Sequence, residues 1–199
     1  MAIETTPPNR PNSPTAPNAT GRTFYLPRLA PARYQRDAVV LWTMPIDRRR
    51  TGWLGDTFHS QFRELMLHTA AREALLCPVY VLMPDHIHLV WMGLRDDSDQ
   101  RNGIAFLRRY LEPRLGAETR FQHQAHDHVL KSEERKRRTF AQTCSYVLMN
   151  PVRAGLAAAP QNWPFLGCII PGYPDLHPAA PTYWPRFWQL YSKFKNPPL

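Results

Sequence analysis

The chain has no apolar run longer than a strand, so nothing in it reads as a membrane span. Its opening residues, MAIETTPPNRPNSPTAPN, hold no apolar stretch of the kind a secretory signal requires. Cysteine is scarce: Cys77, Cys144 and Cys168 are odd in number, far apart and never in C-x-x-C spacing. That pattern argues against a disulfide framework or a zinc ribbon and fits a reducing cytoplasm. No internal repeat is visible. Acidic residues are in deficit, 16 against 25 Lys and Arg, giving a formal charge of +9 and a pI of about 9.9. Such a balance calls for a polyanion, either nucleic acid or an acidic membrane surface.

Proline is plentiful, and it marks the ends. At 199 residues the chain is long enough for one domain with a sizeable core plus tails. Residues 1–36 read as a disordered, Pro-rich arm that turns basic at Arg22, Arg28, Arg33 and Arg36. Residues 37–157 carry alternating and helical apolar patterns and read as the folded domain. Residues 158–199 (WPFLG, PGYPDLHP, YWPRFWQLYSKF) read as a Pro- and aromatic-rich extension. Its rings either fill surface grooves or stack on single-stranded bases.

Within the domain, Ala38 to Met44 reads as a first strand, followed by Arg48-Arg49-Arg50 in a solvated turn. Phe58 to Leu76 reads as an amphipathic helix carrying His59 and His68 at its surface or boundary. Two strands follow, near 78–83 and 86–92, joined at Pro84-Asp85. A second helix, capped by Ser98, reaches about Tyr110, and Phe121 to Leu130 follows no single period, with a short strand ending in Asp127-His128-Val129-Leu130 as one reading. Ser132 caps a third helix that Pro151 ends at Asn150. The order predicts an α+β, ferredoxin-like split β-α-β sandwich, with a largely antiparallel sheet, helices on one face and the third helix added.

Chemistry concentrates in two places. In VYVLMPDHIHLVW, strand alternation projects His86 and His88 to one side while Ile87 and Leu89 anchor the other. Paired imidazoles on a rigid strand form half of a metal site. A second H-x-H, His126-Asp127-His128, would turn a charge toward the core and is the poorer candidate. On the third helix, Tyr146 and Asn150 are four residues apart and share a face with Thr139, Gln142 and Thr143.

MPDHIHLVW resembles the HUH motif (His, bulky apolar, His) of HUH endonucleases, and YVLMNPVRAGL resembles the tyrosine motif of REP-associated tyrosine transposases. HDHVLKSEE is similar to the family's stretch upstream of its tyrosine helix, and the likeness spans roughly residues 38 to 157. The resemblance implies an HUH-type tyrosine transposase, an enzyme acting on single-stranded hairpin DNA from repetitive extragenic palindromes. It implies Tyr146 as nucleophile, with a 5′-phosphotyrosine link and a free 3′-OH as products. It implies that His86, His88 and Asn150 hold a divalent ion, and neutral N and O donors suit Mg²⁺ or Mn²⁺. Relatives act as monomers or as homodimers, and no membrane is involved. For the phosphates, the basic residues Arg108, Arg109, Lys131, Arg135, Arg138 and Arg153 are the candidates, chosen for clustering around the tyrosine helix.

Two other classes remain open on the residues alone. One is a phosphohydrolase that uses water, with His86, His88 and Asp85 or Asp127 on the metal. The other is a binding module without catalysis, indifferent to metal.

Overall fold

The computed structural model describes residues 27–195, so the Pro-rich stretch up to residue 26 and Arg22 lie outside the described residues. Ten main elements follow one another: β1 (Val39–Pro45), α1 (Asp56–Glu73), β2 (Leu75–Met83), β3 (His86–Gly93), α2 (Gln100–Leu111), β4 (His126–Val129), α3 (Arg137–Leu148), α4 (Asn150–Arg153), β5 (Leu166–Ile169) and α5 (Tyr183–Lys195). The strands form one five-stranded sheet in the order β4-β1-β3-β2-β5, with every neighbouring pair antiparallel. The first four strands keep the expected ferredoxin-like order.

Each face of the sheet has its own core, because strand side chains alternate. Val40, Trp42, Met44, Tyr80, Leu82, Ile87, Leu89 and Trp91 point to one face and are buried under α1 and α2. On α1 the buried positions Phe58, Phe62, Leu65, Met66, Thr69, Ala70 and Glu73 repeat at helical spacing. Gly93 lets the N-terminal segment cross β3, since a Cβ there would meet the Arg36 carbonyl oxygen at 1.7 Å. The α2 cap is Asp99, whose carboxylate accepts from the N–H groups of Arg101 and Asn102. Ser98, expected in that role, is buried and donates to the Ala74 carbonyl instead.

The opposite face carries Val39, Val81, Met83, Val90 and Met92, packed against α3 and α5. Here the chain departs from a wrapping tail with rings in surface grooves. Leu166–Ile169 pairs with β2, and Tyr183, Phe187 and Leu190 of α5 are buried. The Tyr183 hydroxyl donates to the Pro78 carbonyl at 2.5 Å, and Trp163 Nε1 donates to the Leu82 carbonyl at 2.9 Å. Phe140 of α3 meets Trp184, Phe187 and Trp188 at ring separations of 5.9, 6.4 and 5.5 Å. Both faces are therefore covered. All three cysteines are free and buried, and no helix among the described residues is long and apolar enough to cross a membrane.

Between α1 and β2, the Tyr80 hydroxyl accepts from Arg63 and lies beside His59 Nε2, both at 2.8 Å. Burial first, then the charge of Arg63, holds His59 down at about 4. Between about pH 6.5 and 4 the unfolded chain binds this proton more readily than the folded one. Stability from this group is complete above pH 6.5 and is lost as pH falls, by about 2 to 3 kcal/mol. Urea melts across that range should show a shallower acid loss for His59→Gln, whose amide can still hydrogen-bond Tyr80 and does not titrate. Equal slopes for both proteins would refute this.

Candidate active site

The turn that places the histidine pair is two residues long, Pro84-Asp85, with Met83 facing His86 across it. Cross-strand partners share a face, and the Thr43 Oγ1 lies 2.9 Å from His88 Nδ1. His86 and His88 therefore stand on the α3 side of the sheet, their rings 4.6 Å apart and nearly perpendicular. Each ring is held by Nδ1. Asp85 Oδ1 lies 2.6 Å from His86 Nδ1, and a carboxylate can only accept, so Nδ1 carries the proton. Thr43 does the same for His88 when its hydroxyl accepts. Both Nε2 lone pairs are then turned outward. Burial lowers both titrations, His88 down to about 3, so the neutral, ligating form prevails.

Burial alone would raise Asp85, but hydrogen bonds and charge from His86 and Arg49 hold it below the usual carboxylate range. Arg49 reaches Asp85 Oδ2 at 3.0 Å from a left-handed backbone at φ 54, beside Arg48 at φ 53. Two such residues in succession are costly, about 1 kcal/mol or more each. The backbone pairing of Ile46 with Asp85 and of Asp47 with Arg120 pins that turn. Arg49 is therefore a positioned cation beside the histidines, whereas the sequence read it as part of a solvated turn.

Tyr146 is on α3, whose inner side (Phe140, Cys144, Val147, Leu148) is buried against β2, β3 and α5 while Tyr146 itself is 58% exposed. The helix is shorter than expected at both ends. It begins at Arg137, because Glu134 instead accepts from the Lys131 N–H and pairs with His128, tying off the turn after β4. It stops at Leu148, and Asn150 opens α4 with Pro151 in its first turn, where a missing N–H costs least. Val147 lacks a backbone donor from Pro151, and Asn150 Nδ2 donates to that carbonyl at 2.9 Å. Gly155, at φ 70, ends α4, with Leu156 N–H reaching back to the Pro151 carbonyl.

Arg153 ties Tyr146 to Asn150. Its guanidinium lies 4.0 Å above the Tyr146 ring and donates to the Tyr146 carbonyl at 2.8 Å and to Asn150 Oδ1 at 3.0 Å. Its charge also disfavours protonation of His88. The tyrosine helix thus packs on the histidine strand of its own chain, and Arg153, which the sequence had assigned to DNA phosphates, ties Tyr146 to Asn150.

The other basic candidates do not form one cluster. Arg108 and Arg109 lie on α2, across the sheet from Tyr146, which corrects the expected grouping around the tyrosine helix. Arg135 is committed to Asp37, at 2.5 Å, while Lys131 and Arg138 are exposed near α3. The second H-x-H lies on the neighbouring strand. Thr43 pairs with both His88 and His126, so His126 stands in the same row and on the same face as His88. Asp127 does turn inward, and there Tyr34 donates to it at 2.6 Å and Arg28 pairs with it at 3.3 Å. In the sequence, adjacency to His86 was the one signal available for Asp85 as a ring-orienting group.

No family model matches the sequence. The chain is 22% identical over 155 residues to a Haemophilus influenzae protein described as a REP-associated tyrosine transposase, covering 67% of this chain and 84% of that protein. Among solved structures it is similar to a REP-associated tyrosine transposase bound to a REP hairpin, with a TM-score of 0.59 and 18% identity over 73% of this chain and 82% of the other. The fold is that of a REP-associated tyrosine transposase. Sequence and fold thus point to the family that the HUH and tyrosine motifs resemble. The shared fold accounts for the five-stranded antiparallel sheet and its covering helices.

Proposed function

We propose that this protein is a metal-dependent single-stranded DNA endonuclease and strand transferase acting on palindromic hairpin DNA. The observation that carries the reading is that the tyrosine helix packs on the strand of His86 and His88, with Arg153 tying Tyr146 to Asn150.

Tyr146 is the nucleophile. Its oxygen bonds to the scissile phosphorus, the 3′-oxygen departs, and the DNA is left on the tyrosine by its 5′-phosphate. The phenol must lose a proton as that bond forms, and the departing oxygen must gain one. A later attack by a 3′-OH reverses the exchange and rejoins DNA, with no energy source required. His86 and His88, whose Nδ1 atoms are engaged by Asp85 and Thr43, would hold a divalent Mg²⁺ or Mn²⁺ ion together with Asn150, neutral nitrogen and oxygen donors that suit it. Such an ion supplies charge that polarises the phosphoryl oxygen and favours in-line attack. Asp85 and Thr43 fix the ring orientations, and Arg49 adds a second positive charge beside the phosphate position.

Asp85→Ala should lower Mn²⁺ affinity by about 10- to 100-fold, as loss of an outer-shell carboxylate does. Calorimetric titration of Mn²⁺ into both proteins checks this, and unchanged affinity would remove Asp85 from the role.

The water-using hydrolase lacks its third ligand. Among the described residues no three of His, Cys, Asp and Glu gather for a metal, and Asp127 faces away with Tyr34 and Arg28. The test is a denaturing gel of labelled hairpin DNA from the flanks of the protein's own gene, with Mn²⁺ and with EDTA. A metal-dependent protein–DNA adduct supports the proposal. Cleavage without an adduct overturns it in favour of water, and binding without cleavage favours a module.

A further inference from the structure

The row of side chains that crosses the sheet at His88 extends beyond the histidine pair. Thr43 of β1 stands opposite His88 of β3 on one side and opposite His126 of β4 on the other, so all three project from the face that α3 covers. Two strand spacings, about 10 Å, separate the backbones of the two histidines. His128, on the same face of β4, is tied to Glu134 at 2.8 Å. His126 is half-buried, and among the described residues no hydrogen bond engages its ring. Its neighbour Asp127 turns to the other face, where Arg28 and Tyr34 hold it. A half-buried imidazole left without a partner beside a reacting centre is suited to moving a proton.

Strand order decides which proton. The sheet runs β4-β1-β3-β2-β5, and α3 and α4 lie over β2, with α3 reaching β3. Tyr146 and Asn150 therefore come to the histidine pair from the β2 side, and His126 stands on the other side of it, beyond β1. A phosphoryl group exchanges its partners in line, with the attacking and leaving oxygens on opposite sides of phosphorus. Attack from the β2 side sends the leaving oxygen toward β4.

We propose that His126 is the general acid that protonates the departing 3′-oxygen. This rests on the reading that Tyr146 attacks a phosphate held at His86 and His88. As the Tyr146 oxygen bonds to phosphorus, the phenol proton is lost to water and the bond to the 3′-oxygen breaks. The proton on His126 passes to that oxygen, which leaves a free 3′-OH and a neutral ring. In rejoining, the neutral ring takes the proton from the attacking 3′-OH. In the protein alone, burial first and then the charge of Arg49 lower the titration of His126, with Asp127 opposing and Arg28 adding to the lowering. A bound phosphate brings negative charge, which favours the protonated ring.

The test compares full-length wild type with His126→Gln, whose amide does not titrate, in single-turnover cleavage with Mn²⁺. The substrate is the hairpin DNA from the flanks of the gene, with its cut position mapped first in wild type. A second DNA carries sulfur in place of the 3′-oxygen at that position. A thiol titrates near about 8.5, so a thiolate leaves without being handed a proton, whereas an oxygen leaving group, like water near about 15.7, needs one. His126→Gln should slow cleavage of the ordinary DNA by about 10²- to 10⁴-fold, as loss of a general acid does. On the sulfur DNA it should stay within about threefold of wild type, because no acid is needed there. That rescue also shows that the variant is folded and binds DNA. An equal loss on both DNAs overturns the proposal, because the ring would then serve binding or the fold. Unchanged rates on both DNAs overturn it as well. The nucleophile is read separately: cleavage without an adduct removes Tyr146 from its role, while the ratio of the two rates still reports the acid. A wild type that cuts neither DNA overturns both.

Discussion

Tyr146→Phe is expected to abolish the covalent DNA adduct and to slow cleavage on the order of 10⁵-fold or more, as loss of a nucleophile does when nothing replaces it. The substitution removes one oxygen and little else. The ring is 58% exposed, and Arg153 can stack on phenylalanine as it does on tyrosine. Stability should stay within about 0.5 kcal/mol, as for other surface changes. Hairpin affinity should be nearly unchanged, which separates this variant from a folding defect. An adduct that survives in the Phe variant would mean another nucleophile. Undiminished cleavage without an adduct in either protein would mean that water attacks.

The second large effect concerns residues beyond 157. Phe187→Ala is expected to cost about 3 to 5 kcal/mol, because the ring is fully buried between α3 and the sheet. For a chain of this size that is a fall in melting temperature of about 10 °C. Ending the chain at residue 157 removes Leu166, Cys168, Ile170, Tyr183, Phe187 and Leu190 from one core and leaves β2 unpaired on one side. Typical folding stability is about 5 to 15 kcal/mol, so the truncated chain should show no cooperative melting. Scanning calorimetry of wild type, the point variant and the truncation decides it. A truncated protein with the wild-type transition would return these residues to the status of a covering tail.

Much of this was legible in the residues. The strand pairs, the Pro84-Asp85 turn and the face shared by His86 and His88 follow from alternation, which a one-residue slip would have reversed. The side of the sheet that α3 covers was not legible, because periodicity tells which helix face is buried and not against what. α5 was missed because Pro185 among Trp and Tyr read as irregular chain. Yet proline is tolerated in a first turn, and Tyr183, Phe187, Leu190 and Phe194 stand at helical spacing. Thr43 and Arg49 had no local signal at all. Their roles come from strand register and from a left-handed turn, both set by distant parts of the chain.

Asn150 and Pro151 carry an inheritance problem. The ring at 151 withdraws a backbone donor, and the neighbouring amide replaces it at the Val147 carbonyl while offering its oxygen to Arg153. Val147, Asn150 and Arg153 therefore share one settlement of donors and acceptors. Asn150→Asp would keep the oxygen and leave the Val147 carbonyl only the Met149 N–H, whereas an alanine at 151 would first restore a helical donor and make the amide dispensable there. Substitutions at 150 are thus conditional on 151, and the two positions are expected to change together or stay together along a lineage.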